Sequence, residues 1–65
     1  AMKAFAVKVK SGSAEIYDAH TRSYLGSVGS DVVSASVSGD TVQVTKSNGS
    51  VEIYNAETRS YLGSL

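Results

Sequence analysis

The sequence predicts an all-β protein built from a duplicated unit, and three observations lead to that expectation. Proline is absent, and Val, Thr, Tyr, Ser and Gly are abundant, a composition typical of strands and turns. Apolar and polar residues alternate over short runs that Gly- and Ser-containing turns separate. Residues 12–27 (GSAEIYDAHTRSYLGS) and 49–64 (GSVEIYNAETRSYLGS) differ at three of 16 positions. Such close repetition predicts two units that fold alike.

Seven short strands are predicted, three in the first unit and four in the second. They cover residues 3–10, 14–18, 23–28, 32–38, 41–46, 51–55 and 60–65. The turn after the second strand begins at Asp18, whose carboxylate can accept hydrogen bonds from backbone amides two residues on. Asn48-Gly49 is the strongest hairpin signal, because both residues tolerate the backbone of tight turns. The connections are all short, so the strands are expected to form an antiparallel meander.

Alternation assigns the strand faces. Phe5, Val7 and Val9 share one face of the first strand, while Val42 and Val44 are expected to point inward from the fifth. Adjacent apolar pairs such as Ile16-Tyr17 and Tyr61-Leu62 place an apolar residue on each face, so both faces of the sheet require cover.

A chain of 65 residues forms a single domain, with repeat units at about 3–28 and 31–65. A domain this small buries only about 60% of its unfolded surface. It contains no cysteine, so no disulfide can stabilise it. We therefore expect a small barrel or sandwich, or sheet faces that pack against other copies of the chain.

Residues 31–65 follow a recognisable order: an apolar strand, a turn with Gly and Asp, a second apolar strand, a polar turn with Gly, and the segment from Val51 to Leu62. This order resembles one four-stranded β-propeller blade of the WD-repeat or quinoprotein type. Residues 3–28 resemble the same blade without its first, innermost strand.

Three features depart from that blade pattern. Arg22 and Arg59 stand where the blade has a glycine after Thr, and Tyr17-Asp18 and Tyr54-Asn55 replace its Trp-Asp pair. Two blades also cannot close a ring, because propellers have roughly four or more. The resemblance therefore implies a ring of several copies, an excerpt of a larger chain, or another small β fold that uses the same local pattern.

Charge and hydropathy argue against two classes of partner. Lys plus Arg and Asp plus Glu each number 6, whereas nucleic-acid binders usually carry a basic excess. Nucleic acid is therefore not an expected partner, although Lys3, Lys8 and Lys10 could form a local basic patch with steep salt dependence. No stretch approaches the roughly 20 apolar residues of a membrane helix, so no membrane partner is expected.

The beginning of the chain carries no recognisable secretory signal. We therefore expect a soluble protein that is cytoplasmic by default, with Met2 as its native start.

The sequence contains no pattern of catalytic residues, and we expect neither an enzyme nor a cofactor or metal. His20 is the sole histidine, and Glu57 occupies its position in the second unit, so a surface histidine is the favoured interpretation. No G-x-S-x-G motif or calcium-loop pattern occurs. Glu15 and Glu52 are expected to be solvated acids on strand faces.

One repeated group has functional promise, because Tyr and Arg dominate the energetics of protein interfaces and can form cation–π contacts. Its members are Tyr17, Arg22, Tyr24, Tyr54, Arg59 and Tyr61. A purely structural alternative is that the tyrosines pack the sheet faces while the arginines close turns.

The favoured hypothesis is a non-enzymatic, homo-oligomeric structural or interaction module that self-assembles through its sheet faces. The alternative is a carbohydrate- or peptide-binding module with two equivalent Arg/Tyr sites.

Overall fold

The computed structural model describes residues 4–65. Ala1, Met2 and Lys3 fall outside this range, so the predicted start at Met2 and the Lys3 member of the basic patch lie outside the described residues.

Seven antiparallel strands form two separate sheets, which confirms the predicted all-β class and the meander of three and then four strands. The strands are β1 (Phe5–Lys10), β2 (Ser13–Asp18), β3 (Tyr24–Val28), β4 (Val32–Ser38), β5 (Thr41–Lys46), β6 (Val51–Asn55) and β7 (Tyr61–Ser64). Sheet I has the order β1-β2-β3 and sheet II the order β4-β5-β6-β7. Within residues 4–65 the strands do not close into a barrel.

The two sheets pack face to face around one apolar cluster. Its eight buried members are Phe5, Ala14, Ile16 and Val28 from sheet I and Val32, Val42, Val44 and Ala56 from sheet II and its turns. The molecule measures 36 × 22 × 15 Å, and the short axis fits two sheets about 10 Å apart. Val42 and Val44 are completely buried, which confirms their predicted inward orientation.

Hydrogen bonds at one end fix the two sheets relative to each other. The Val32 amide donates to the Gly12 carbonyl at 2.9 Å, and the Ser47 amide donates to the Asp31 carbonyl at 2.8 Å. The Ser13 hydroxyl donates to the Gly29 carbonyl at 3.3 Å. The short connection between β3 and β4 is therefore anchored on both sides, and the two units lie next to each other.

The turn that follows β2 has the same construction as the turn that follows β6. Asp18 Oδ1 accepts the His20 amide at 2.8 Å, which confirms the turn predicted there. In the second unit Asn55 Oδ1 accepts the Glu57 amide at the same distance of 2.8 Å. The Asp-to-Asn difference between the units is therefore conservative, because one side-chain oxygen does the same work in both.

Candidate functional site

Each sheet has one face in the core and one face turned outward. Outer face I, on sheet I, carries Ala6, Lys8, Tyr17 and Tyr24, together with the turn residues Ala19 and Arg22. Outer face II, on sheet II, carries Val51, Ile53 and Gly63, with Leu65 opposite Val51. These two surfaces are the candidate site, because each is the repeat counterpart of a face that is buried inside the same molecule.

Outer face II repeats the buried face of sheet I. Ile16 is completely buried, whereas its counterpart Ile53 is half-buried. Val28 is 6% exposed, whereas Leu65 is 85% exposed. On β6 and β7, sheet II therefore presents outward the kind of apolar surface that sheet I hides in the core. On β5 the match ends, because the register puts the polar residues Thr41, Gln43 and Thr45 where β1 has Phe5, Val7 and Val9.

The leucines in the last strand of each unit, β3 and β7, follow the same rule. Leu25 packs against the core, whereas Leu62, its counterpart, is 55% exposed. Each leucine lies at the register shift between the last two strands of its unit. The difference in exposure therefore comes from the presence or absence of an opposing sheet, since the local backbone is shared.

Outer face I repeats the buried face of sheet II. Ala6 pairs with Tyr17 and Val42 pairs with Tyr54, so the register makes Ala6 the counterpart of Val42. Ala6 is exposed and Val42 is completely buried. Ala56 is likewise completely buried, whereas the equivalent Ala19 is exposed.

An open depression of about 470 Å³ lies on outer face I. It is lined by Ala6, Val7, Lys8, Tyr17, Asp18, Ala19 and Arg22. In sheet II the equivalent surface around Val42 and Ala56 is covered by sheet I. The depression therefore corresponds to the half of the sheet interface that has no opposing sheet within the chain.

Outer face I departs from its buried counterpart at one position. The register makes Lys8 the counterpart of Val44, because they pair with Glu15 and Glu52 respectively. A lysine can cover apolar surface with its methylene stem while its ammonium group stays in water. With lysine where sheet II has valine, outer face I carries a charge that its buried counterpart lacks. The methylene stem of Lys8 can still cover apolar surface there.

The arginines provide the clearest difference between the two units. A methyl group added at Gly26 would lie 2.8 Å from Nε of Arg59 and closer still to its Cδ, so the Arg59 side chain lies directly over Gly26. Among the described residues, nothing lies within 4 Å of a methyl group at the equivalent Gly63. Arg22, the counterpart of Arg59, is exposed.

Both arginines have a left-handed backbone, with φ angles of 65° at Arg22 and 64° at Arg59. This conformation disfavours side chains by roughly 1–2 kcal/mol, and glycine adopts it without that cost. Arg59 also donates from Nη1 to the Glu57 carbonyl at 2.8 Å, which orients the side chain. An arginine kept in an unfavourable conformation in both units indicates a side-chain role common to both.

The tyrosines form the same small cluster in each unit. Tyr17 donates its hydroxyl to Glu15 and Tyr54 donates to Glu52, each at 2.8 Å. The Tyr17–Tyr24 and Tyr54–Tyr61 rings meet edge to face with centroids 5.6 Å apart. The structure therefore brings together the predicted tyrosines within each unit. Arg22 lies with Tyr17 at the depression, whereas the Arg59 side chain reaches the other sheet.

The two hydrogen-bonded tyrosines differ in what perturbs them. Burial, followed by the hydrogen bond to Glu52, raises the pKa of Tyr54 to about 12. For Tyr17 the hydrogen bond to Glu15 comes first, followed by burial, and its pKa is also raised. The order of the causes of the two pKa shifts matches the position of each ring, because Tyr54 lies on the covered face of sheet II and Tyr17 lies on an outer face.

The described residues outside these faces offer little chemistry. His20 is an exposed turn residue whose backbone amide binds Asp18. Residues 4–65 contain no group of three or more His, Cys, Asp or Glu side chains suited to hold a metal ion. Over the same residues, no helix has the length and apolar character needed to cross a membrane.

Sequence reasoning identified the tyrosines and arginines but missed the exposed apolar copies and Gly63. The repeat itself contained the signal, since any residue that is buried in one unit and exposed in the other marks an incomplete interface. Finding it requires knowledge of which sheet faces meet, and alternation along a strand does not contain that information.

Comparisons with protein-family models, with curated proteins and with solved structures gave no match. The resemblance to β-propeller blades therefore stays a prediction, and function is inferred from the geometry of the two outer faces.

Proposed function

We propose that this protein is a non-enzymatic structural module that self-assembles through its β-sheet faces. The observation that carries this proposal is the exposure of outer face II, where Ile53, Leu62 and Leu65 repeat residues that are buried or half-buried in sheet I. A surface that is built like a core face but left open is typical of an interaction site.

The energetics support assembly that depends on concentration. Full burial of an exposed Val, Leu or Ile side chain contributes about 1.5–3 kcal/mol. On outer face II Leu62 and Leu65 are exposed and Val51 and Ile53 are half-buried, so their burial offsets only the lower part of an association cost of about 4–15 kcal/mol. Because the chain is small and contains no disulfide, a partner that binds only the folded form would also stabilise the fold.

The solution mass tests the proposal. Light scattering on a sizing column should give a defined multiple of the 6.7 kDa chain mass for the wild type at high micromolar concentration. Ile53→Glu puts a carboxylate in the centre of outer face II and should reduce the mass to that of the single chain. Ser30→Glu, in the exposed connection between the sheets, is the matched control and should leave the assembly unchanged.

A wild-type mass that stays at 6.7 kDa up to millimolar concentration would refute self-assembly. Loss of assembly in both Ile53→Glu and Ser30→Glu would also count against a role for outer face II, because it would indicate a response to added charge anywhere.

A carbohydrate- or peptide-binding role is the second candidate, and one observation favours it. Tyr24 and Tyr61 are each 56% exposed, although the sheet face that carries Tyr61 is covered and the face that carries Tyr24 is not. Both tyrosines are therefore rim residues that remain accessible whether or not their face is covered. Aromatic rings held beside a carboxylate, as Tyr54 is held beside Glu52, suit a hydroxyl-bearing ligand.

Tyrosine fluorescence, free of tryptophan background in this chain, provides the test of this second candidate. A panel of simple hexoses and short glycans should include one that changes the emission, and Tyr24→Ser and Tyr61→Ser should each remove about half of the binding sites. An unchanged stoichiometry in both variants would exclude the tyrosine rims as the ligand sites.

A further inference from the structure

We propose that copies of this chain join head to tail, with outer face II of one copy on outer face I of the next. The arrangement is the one that sheet I and sheet II already have within the chain. This inference rests on the proposed self-assembly and identifies which two surfaces meet.

The intrachain interface supplies the template. The face of sheet I that contains Ile16 and Gly26 packs against the face of sheet II that contains Val42 and Ala56. Outer face II repeats the first of these surfaces on β6 and β7, and outer face I repeats the part of the second that lies on β5 and the turn after β6. A second copy brings these parts together, with Lys8 in place of Val44 and with polar residues of β5 in place of the apolar residues of β1.

The arginine contact gives the pairing its register. Within the chain, Arg59 lies over Gly26 on the facing sheet. Arg22 has the same left-handed backbone as Arg59. The space over Gly63 is open, as the space over Gly26 would be if the Arg59 side chain did not fill it. In the head-to-tail pair, Arg22 of one copy lies over Gly63 of its neighbour.

The shape and polarity of the two faces agree with this pairing. The depression on outer face I is flanked by the small residues Ala6 and Ala19, which leaves room for the side chains of Ile53 and Leu62. An alternative pairing of outer face II with itself would leave Arg22 without the glycine contact that Arg59 makes within the chain.

The pairing joins two different surfaces, so every copy has one surface of each kind. Such an interface extends to an open filament or closes into a ring, depending on the rotation between neighbours. It cannot stop at a symmetric dimer, and this property makes it testable.

Two complementary variants provide the test. Ile53→Glu damages outer face II alone, and Ala19→Glu damages outer face I alone; both sites are at least partly solvent-accessible, so the fold should be retained. Each variant alone should have the 6.7 kDa mass of a single chain. An equimolar mixture should double that mass and go no further, because only one intact surface of each kind remains. Circular dichroism of each variant checks the fold.

The outcomes separate the two proposals. A wild type that is a single chain at all concentrations refutes self-assembly and the head-to-tail pairing together. A wild type that assembles, with either variant alone still forming a dimer, overturns only the head-to-tail pairing, because that dimer uses one surface twice. An assembled wild type whose mixed variants remain single chains overturns it as well.

Discussion

Arg22 and Arg59 show how one residue type serves two purposes in this protein. Their backbone conformation is one that glycine adopts without penalty, and yet a long side chain is present at both positions. For Arg59 the benefit is visible as the contact over Gly26. For Arg22 no such contact exists among the described residues of the chain, and its benefit is expected in the assembly.

Replacing Arg22 by glycine should therefore separate stability from assembly. Relief of the left-handed strain is partly offset by the greater freedom of glycine in the unfolded chain, so the free energy of unfolding should be unchanged or higher by up to about 1 kcal/mol. Urea titration at low protein concentration measures this quantity. Arg59→Gly, the matched variant, should instead lower it, because a contact between the sheets is lost.

A second prediction at this scale concerns Tyr54, whose pKa of about 12 lies above the ordinary value of 10.0. Its contribution to stability is therefore complete below pH 10 and is lost as the pH rises through 12. Glu52→Gln removes the charged acceptor and should move the Tyr54 pKa toward 10, as measured from the ring resonances by NMR. An unchanged pKa in that variant would leave burial, the larger cause, as the only one.

At the scale of the strands, the sequence predicted the elements well. Strands β4, β5 and β6 have the predicted bounds, and the others differ by a residue or two at an end. Alternation also identified Val42 and Val44 as residues that point inward, and their complete burial confirms this. These features are local, so the period of two in the sequence is sufficient to reveal them.

Alternation could not reveal which unit has its apolar face covered. Ile16 and Ile53 each lie between a glutamate and a tyrosine, and they differ in burial because sheet II lies over one and not the other. The candidate site depends on this difference between sheets. For that reason the tyrosines were predicted from residue type, whereas the apolar part of the site required the structure.

The same pair of isoleucines yields a prediction at this scale. Ile16→Val should lower the free energy of unfolding by about 0.5–1.5 kcal/mol, since a methylene is removed from a closed core. Ile53→Val should change it by less than about 0.5 kcal/mol in dilute solution, where its face is open to water. Equal effects at low concentration would mean that Ile53 is as enclosed as Ile16.

At the scale of the whole molecule, the chain contains one sheet interface and two open outer faces on opposite sides. Among residues 4–65, that interface holds the eight buried apolar residues of the core, and we propose that the outer faces of neighbouring copies form a second one. Duplication of a strand unit explains why each outer face has a buried counterpart. The two units also differ, because sheet I has no strand equivalent to β4 and Lys8 replaces Val44 on its outer face.

The contrast between the two arginines also has a consequence for proteolysis. Trypsin cleaves after arginine in exposed turns, and Arg22 is exposed, whereas Arg59 is half-buried beneath its contact with the other sheet. Cleavage should therefore begin after Arg22 in a dilute sample and slow there as the concentration rises. The ratio of chains cleaved after Arg22 to chains left intact there would then measure the fraction of outer faces I that a neighbouring copy covers.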